Sequence, residues 1–209
     1  MGYLQHTSCY LVGPVEHDEG FGRDWREVMS EFLATLSVKV YNPLDRPYWI
    51  KPIEDFIPPS ASRQEVLDII YSEPNGGLDN EEEIKELVDH SITVNKYIKA
   101  QELVRSICLR FVATCDFIIC YLPSTKTYGS TEELAKARDS GKPVIAICPE
   151  GIPSLWVYDY FKDQQVFEDL RGAMDFMTAV DTGKVHLDAL EWIFLGDEYG
   201  LKSITACDL

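Results

Sequence analysis

The chain has no apolar run approaching the roughly 20 residues a membrane span requires, no Cys-x-x-Cys pair and no Gly-x-Gly-x-x-Gly fingerprint. The first absence argues against a membrane partner. The second argues against a structural zinc site: the six cysteines stand at 9, 108, 115, 120, 148 and 207, four of them inside apolar runs. They read as buried thiols of a reducing compartment. The third argues against dinucleotide binding through that motif, though not against cleavage of NAD. Repeats and low-complexity tracts are absent too. The opening MGYLQHTSCYLVG has neither a basic start nor a long apolar core, so no signal peptide is read and a cytoplasmic location is expected. Basic residues are scarce, with 19 Lys and Arg against 35 Asp and Glu and a net charge of −16. Such a surface repels phosphate backbones, so duplex nucleic acid is not an expected partner. A small anionic ligand held by local amides and one or two Arg is compatible with it.

What is present describes one ordinary globular core. Hydrophobic residues make up 45% and charged residues 26% of 209 positions, too short a chain for two comfortable domains. A single α/β domain over 1–209 is expected, with an insertion over 44–90 and a C-terminal helical cover over 150–209. Its organising stretch is CDFIICYLPSTKTYGSTEELAKARDSGKPVIAIC, residues 115–148. Phe117–Leu122 and Pro143–Cys148 are short apolar runs, as strands buried on both faces require. Between them lie a polar turn, Ser124–Tyr128, and a helix predicted over Glu132–Ser140 and closed by Gly141. This is a βαβ unit with parallel strands. Ligands bind outside the carboxyl ends of such strands, and Glu133 is expected there in the first helical turn, its anion stabilised by unpaired N–H groups. A helix-capping role fits the same position.

Ser8–Val12 reads as the first strand, followed by a polar loop through Glu16–Gly22. An amphipathic helix runs to about Leu36, with Trp25, Val28, Met29, Phe32, Leu33 and Leu36 at core-facing spacing. Val38–Tyr41 is the second strand. Residues 44–90 hold a Pro- and aromatic-rich segment, a helix over 62–71 and an acidic helix over 80–90. A long helix over 92–113 leads into the Asp116 strand, and two helices, 166–180 and 186–194, end the chain. The architecture is a flavodoxin- or Rossmann-like three-layer fold on a parallel sheet of four or five strands.

Tyr10-Leu11-Val12-Gly13-Pro14, the strand opened by Asp116, the Gly129-Ser130-Thr131-Glu132-Glu133-Leu134 helix start and Gly141-Lys142-Pro143-Val144 occur in that order. Together they resemble the nucleoside 2-deoxyribosyltransferase superfamily, including its nucleotide N-glycoside hydrolase branch. The resemblance covers 8–43 and 108–148. It implies N-glycosidic bond chemistry without a cofactor, in a homo-oligomer acting on a small nucleoside or nucleotide. The family glutamate maps onto Glu133, which would attack C1′ to give a glycosyl-enzyme ester, stabilising and capturing an oxocarbenium-like transition state. Glu132 is a rival in register. One position departs from the pattern: where family members carry a carboxylate eight residues before the strand-opening Asp, this chain has Cys108, here read as a core thiol. Gln101, Glu102 and Asn95 are candidates to stand in.

The other candidates carry alternatives. Asp116 either bonds loop amides near the substrate or simply starts a strand. Tyr10 lines a base pocket or belongs to the core, and Gly13 ends the strand beside it. His17 contacts base or sugar, or is solvated. Arg23 binds an anion or lies on the surface, and Trp49 and Trp156 are candidates to stack on a base. Thr127 with Gly129 and Ser130 offers neutral donors at a helix start, a place for a 5′-phosphate. The functional readings are hydrolysis or base exchange of a (deoxy)nucleoside or its 5′-monophosphate, a non-catalytic nucleotide sensor of the same fold, and a glycohydrolase acting on NAD or a riboside monophosphate.

Overall fold

A computed structural model describes residues 2–15, 22–44, 99, 102–123, 128–161, 165–185, 187 and 191–195. His17, Trp49, Asn95, Gln101, Thr127 and the helices expected over 62–71 and 80–90 lie outside the described residues. The chain parts into two compact units, Met1–Leu44 with Cys108–Leu209, and Asp45–Ile107. Every described strand belongs to the first.

That unit is built on five parallel strands, β1 (Ser8–Val12), β2 (Lys39–Tyr41), β3 (Phe117–Tyr121), β4 (Val144–Ile147) and β5 (Val166–Phe167), in the order β2-β1-β3-β4-β5. This is the flavodoxin-like order. Between them run α1 (Arg23–Thr35), a helix over 102–114 (α2), α3 (Tyr128–Asp139) and the short α4 (Leu155–Tyr158), and α5 (Leu170–Asp181) follows the last strand. Among the described residues, no helix is long and apolar enough to cross a membrane.

Strand periodicity divides the core into two layers. Cys9, Leu11, Phe117, Ile119, Ile145 and Ile147 point to one face, where Met29 and Leu33 of α1 and Ala173 and Met177 of α5 cover them. Tyr10, Val12, Ile118, Cys120, Val144 and Ala146 point to the other, under Val112 of α2 and Leu134 and Ala137 of α3. Alternate residues of a strand face opposite sides, so a continuous apolar run serves both layers. Cys9, Cys115, Cys120 and Cys148 are buried in these layers as thiols. Burial pushes Cys115 up to about 12 and Cys148 up to about 11.

Several boundaries differ from the sequence reading. Val166–Phe167, expected to begin a helix, is the fifth strand; Asp169 caps α5 instead, its side chain accepting from the Gly172 amide at 2.7 Å. The last turn, Ile193–Leu195, is 3₁₀. Helix α3 begins at Tyr128, four residues early. On α1 the buried face is Trp25, Arg26, Met29 and Leu33, while Val28 is 46% exposed. An arginine takes an inward place because three carbonyl oxygens await it.

Candidate functional site

Strand order sets the place. From β1 the chain turns to β2 on one side, and from β3 it continues to β4 on the other, with α1 and α3 on opposite faces. The connections diverge at the carboxyl ends of β1 and β3, and such a switch point leaves a crevice open there.

On the α1 side, the strand ends in Gly13. A Cβ at this position would stand 2.8 Å from Trp25 Cζ2 and 3.0 Å from the Tyr121 carbonyl oxygen, so the close approach needs glycine. Gly22, at φ 65°, caps α1 in the left-handed region. Arg26, fully buried, donates through Nη2 to the Gly13 carbonyl (2.8 Å) and through Nη1 to the carbonyls of Gly22 (2.8 Å) and Pro14 (3.1 Å). One guanidinium thus pins both ends of the loop between β1 and α1, satisfying carbonyls that burial would otherwise leave costly. Its ring-stacked neighbour Trp25 lies against Tyr121, with centroids 5.2 Å apart.

On the α3 side, Tyr10 reaches out of β1 and donates its hydroxyl to Glu133 Oε1 at 2.6 Å. Tyr10 is fully buried, its ring 6.3 Å from that of Phe111 on α2. Because α3 begins at Tyr128, Glu133 is its sixth residue and lies in the second turn, about 7.5 Å along the axis. The expected stabilisation by unpaired first-turn amides is corrected accordingly. Burial dominates instead and pushes the Glu133 carboxyl up to about 7, against the Tyr10 hydrogen bond and the Arg26 charge, which favour the anion. Glu132 beside it raises the value further, and a hydrogen bond from the Cys108 side chain lowers it. Burial, and then the Glu133 charge, hold the Tyr10 hydroxyl protonated, well above its ordinary range. The site therefore carries a carboxyl poised near neutrality against a phenol that remains a donor.

Tyr10 and Glu133 are brought together by this bond. Cys108 on α2 is half-buried and packs against the core layer on this face. Ser130 is buried on α3 and Gly129 exposed, with open space where a Cβ would be. Arg23 is exposed at the start of α1, and Glu102 is exposed on α2. Asp116 is elsewhere. Its Oδ2 accepts from the Ser8 amide (2.7 Å) and the Ser8 hydroxyl (2.8 Å), tying the amino ends of β3 and β1. A residue that opens a parallel strand stands at the amino edge of the sheet, which corrects the expectation that Asp116 bonds loop amides near a substrate. Arg26 escaped the sequence reading. The signal available was its place one residue after Trp25, on the same inward face.

No protein-family model matches the chain, and no curated protein matches it. Solved structures similar to it include a 2-deoxyribosyltransferase from the psychrotolerant bacterium Bacillus psychrosaccharolyticus, at 17% identity over 80% of this chain and 90% of that one, with a TM-score of 0.48. A 2-deoxyribosyltransferase from Leishmania mexicana is 15% identical over 87% of this chain and 99% of that one, with a TM-score of 0.45.

Proposed function

We propose that this protein cleaves the N-glycosidic bond of a (deoxy)nucleoside 5′-monophosphate or nucleoside, with Glu133 as the nucleophile and water or a second base as acceptor. The observation that carries the reading is the 2.6 Å bond from Tyr10 to Glu133 beside the β1/β3 switch point. Support also comes from the ordered motifs ending β1 and opening α3, which resemble those of nucleoside 2-deoxyribosyltransferases.

The chemistry follows from the groups present. In its anionic form Glu133 offers Oε2 while Oε1 is held by Tyr10. Attack at C1′ forms the ester bond as the C1′–N bond breaks, and the departing base takes the electron pair and a proton from water. Water then adds to C1′ and the carboxylate leaves, giving free sugar phosphate. If another base replaces the water, the result is exchange. Burial keeps the carboxylate poorly solvated, which favours neutralising it by a developing oxocarbenium ion.

The test is incubation with a panel of nucleosides and nucleoside 5′-monophosphates, following free base by chromatography. Release by the native chain, its loss in a folded Glu133→Ala variant and its retention in Glu132→Ala are expected. Loss in Glu132→Ala with retention in Glu133→Ala would reverse the assignment, and no release from any member would remove the activity. A second reading, nucleotide binding without cleavage, is favoured by Cys108 standing where the family pattern carries a carboxylate. It requires saturable calorimetric binding with no base released.

A further inference from the structure

We propose that the indole N–H of Trp25 is a ligand-binding donor at the crevice where β1 and β3 end. It takes a carbonyl oxygen of the substrate's base, so that oxo bases are preferred to bases lacking that group. The inference rests on the reading of the chain as a nucleoside or nucleotide N-glycosidase, and it names the bases that site would take.

Trp25 lies in the first turn of α1 and is 5% exposed. Tyr121 stacks on its ring, and the Arg26 guanidinium carbon stands 4.5 Å from the ring centre. A ring covered in this way gives a base no open platform, and what it has left to offer is its N–H edge. That edge lies at the carboxyl ends of the strands. A Gly13 Cβ would stand 2.8 Å from Cζ2, and a Gly22 Cβ 3.3 Å from Nε1. Glycine at both places admits the indole between the end of β1 and the start of α1. Nε1 is buried and has no hydrogen-bond partner among the described residues. Such a group costs free energy that folded chains seldom carry without a use. Trp192, also buried, shows the ordinary solution. With the Gln165 amide turned to suit its neighbours, Trp192 Nε1 donates to its oxygen at 3.1 Å and its nitrogen donates to the Val144 carbonyl at 2.9 Å. Val144 opens β4, so the paired indole belongs to the amino edge of the sheet. The unpaired one stands at the carboxyl edge, where parallel sheets take their ligands.

The surroundings choose the acceptor. Beside the indole, the carbonyl oxygens of Gly13, Pro14 and Gly22 share the charge of Arg26, and Asp24 adds a carboxylate in the first turn of α1. An anion would meet all of these oxygens in return for one neutral donor, whereas an uncharged carbonyl needs only the one N–H. The shape of the substrate then says which carbonyl. Its C1′ belongs at Glu133, under α3, while Trp25 lies in the layer under α1 on the other face. From C1′ the molecule extends to the base in one direction and to the 5′ end in the other. A 5′-phosphate is charged, so the uncharged acceptor is on the base. The nitrogen is closed to solvent, and the acceptor reaches it only as its surroundings shift on binding.

The experiment follows the indole N–H signals by NMR in nitrogen-labelled protein, with Trp25 assigned by the signal missing in Trp25→Phe. The Glu133→Ala chain, used so that nothing is cleaved, is titrated with four 5′-monophosphates. Those of inosine and uridine carry oxo groups on the base, and those of adenosine and purine riboside carry none. The Trp25 signal is expected to move downfield with the first two alone, while that of Trp192, already paired, stays. In calorimetry the oxo nucleotides are expected to bind about tenfold tighter than the others. Adding Trp25→Phe to the same chain should remove most of that gap and change the other two by less than about threefold. A Trp25 signal unmoved at saturation overturns the proposal, as does an equal loss for all four nucleotides in Trp25→Phe or an absence of binding by any of them. Trp25→Tyr takes the place of Trp25→Phe where the latter does not fold, and the spectral titration is judged on the intact indole in either case. Base release by the native chain with an unmoved Trp25 signal keeps the glycosidic reading and removes this one. A moved signal without base release does the reverse.

Discussion

Tyr10 and Glu133 stand 123 positions apart in the chain and share a 2.6 Å hydrogen bond. One is a strand residue pointing to the α3 face, the other a helix residue pointing back at the strand. Each alone has an unremarkable explanation, a core tyrosine and a surface glutamate. Their bond is what makes a site, because a buried carboxyl group needs a donor and a buried phenol needs an acceptor.

Tyr10→Phe removes the donor and keeps the ring against Phe111. The Glu133 carboxyl should then titrate above about 7, because the bond lost favoured the anion. Base release is expected to fall roughly 10- to 100-fold at neutral pH and to recover partly at higher pH. A pH–rate profile with an unmoved acidic limb would contradict this.

Burial of Glu133 also links folding to pH. Its folded value, about 7, lies above the ordinary 4.5, so the native state holds a proton that the unfolded chain releases. The stabilisation is complete below about pH 4.5 and lost as pH rises through about 7, on the order of 3 kcal/mol across the window. Glu133→Gln stays neutral and should flatten that part of the stability curve. Urea unfolding at pH 5 and pH 8 reads the difference, and an equal pH slope in both proteins would rule it out.

Arg26 and Arg23 should behave oppositely. Arg26→Met strips three buried carbonyls of their donor and is expected to cost about 3–5 kcal/mol in chemical denaturation. Arg23→Ala, at an exposed position, should stay within about 0.5 kcal/mol. A mild Arg26→Met would mean that water replaces the guanidinium at the loop.

Under the proposed function, Thr127 is expected to meet the 5′ end of the substrate. A neutral hydroxyl near a helix start accepts a phosphate, whereas a carboxylate repels it. Nucleoside 5′-monophosphates are expected to bind better than parent nucleosides, and Thr127→Asp should erase that preference first. Equal calorimetric affinities in the native chain would refute the phosphate site and leave the Glu133 chemistry standing.

Much of this architecture was legible because the strands are unbroken apolar runs. Phe117–Tyr121 and Val144–Ile147 are buried almost throughout, and few other patterns produce such runs. Val166–Phe167 is two residues long, too short for any period to register. Tyr128-Gly129-Ser130 resembles a turn by composition, yet continues the helix, which moved Glu133 out of the first turn. Arg26 was hidden by the habit of placing charge outside and valine inside on an amphipathic helix. The partners of Arg26 are backbone carbonyls of the preceding loop, and no helical period carries that information.

The Ser8–Asp116 tie joins residues 108 positions apart at the seam between β1 and β3. Closing so long a loop costs entropy that only a few contacts repay at first, whereas β3, α3 and β4 lie close together in the chain. The seam is accordingly expected to close late in folding, with amides of β3 and β4 protected before those of β1 in pulse-labelled hydrogen exchange. Simultaneous protection would contradict that order. The Tyr10–Glu133 pair straddles the seam, Tyr10 on β1 and Glu133 on α3. A chain folded only in its latter half would therefore lack the Tyr10 donor to Glu133, so under the proposed function base release would itself report that β1 has docked.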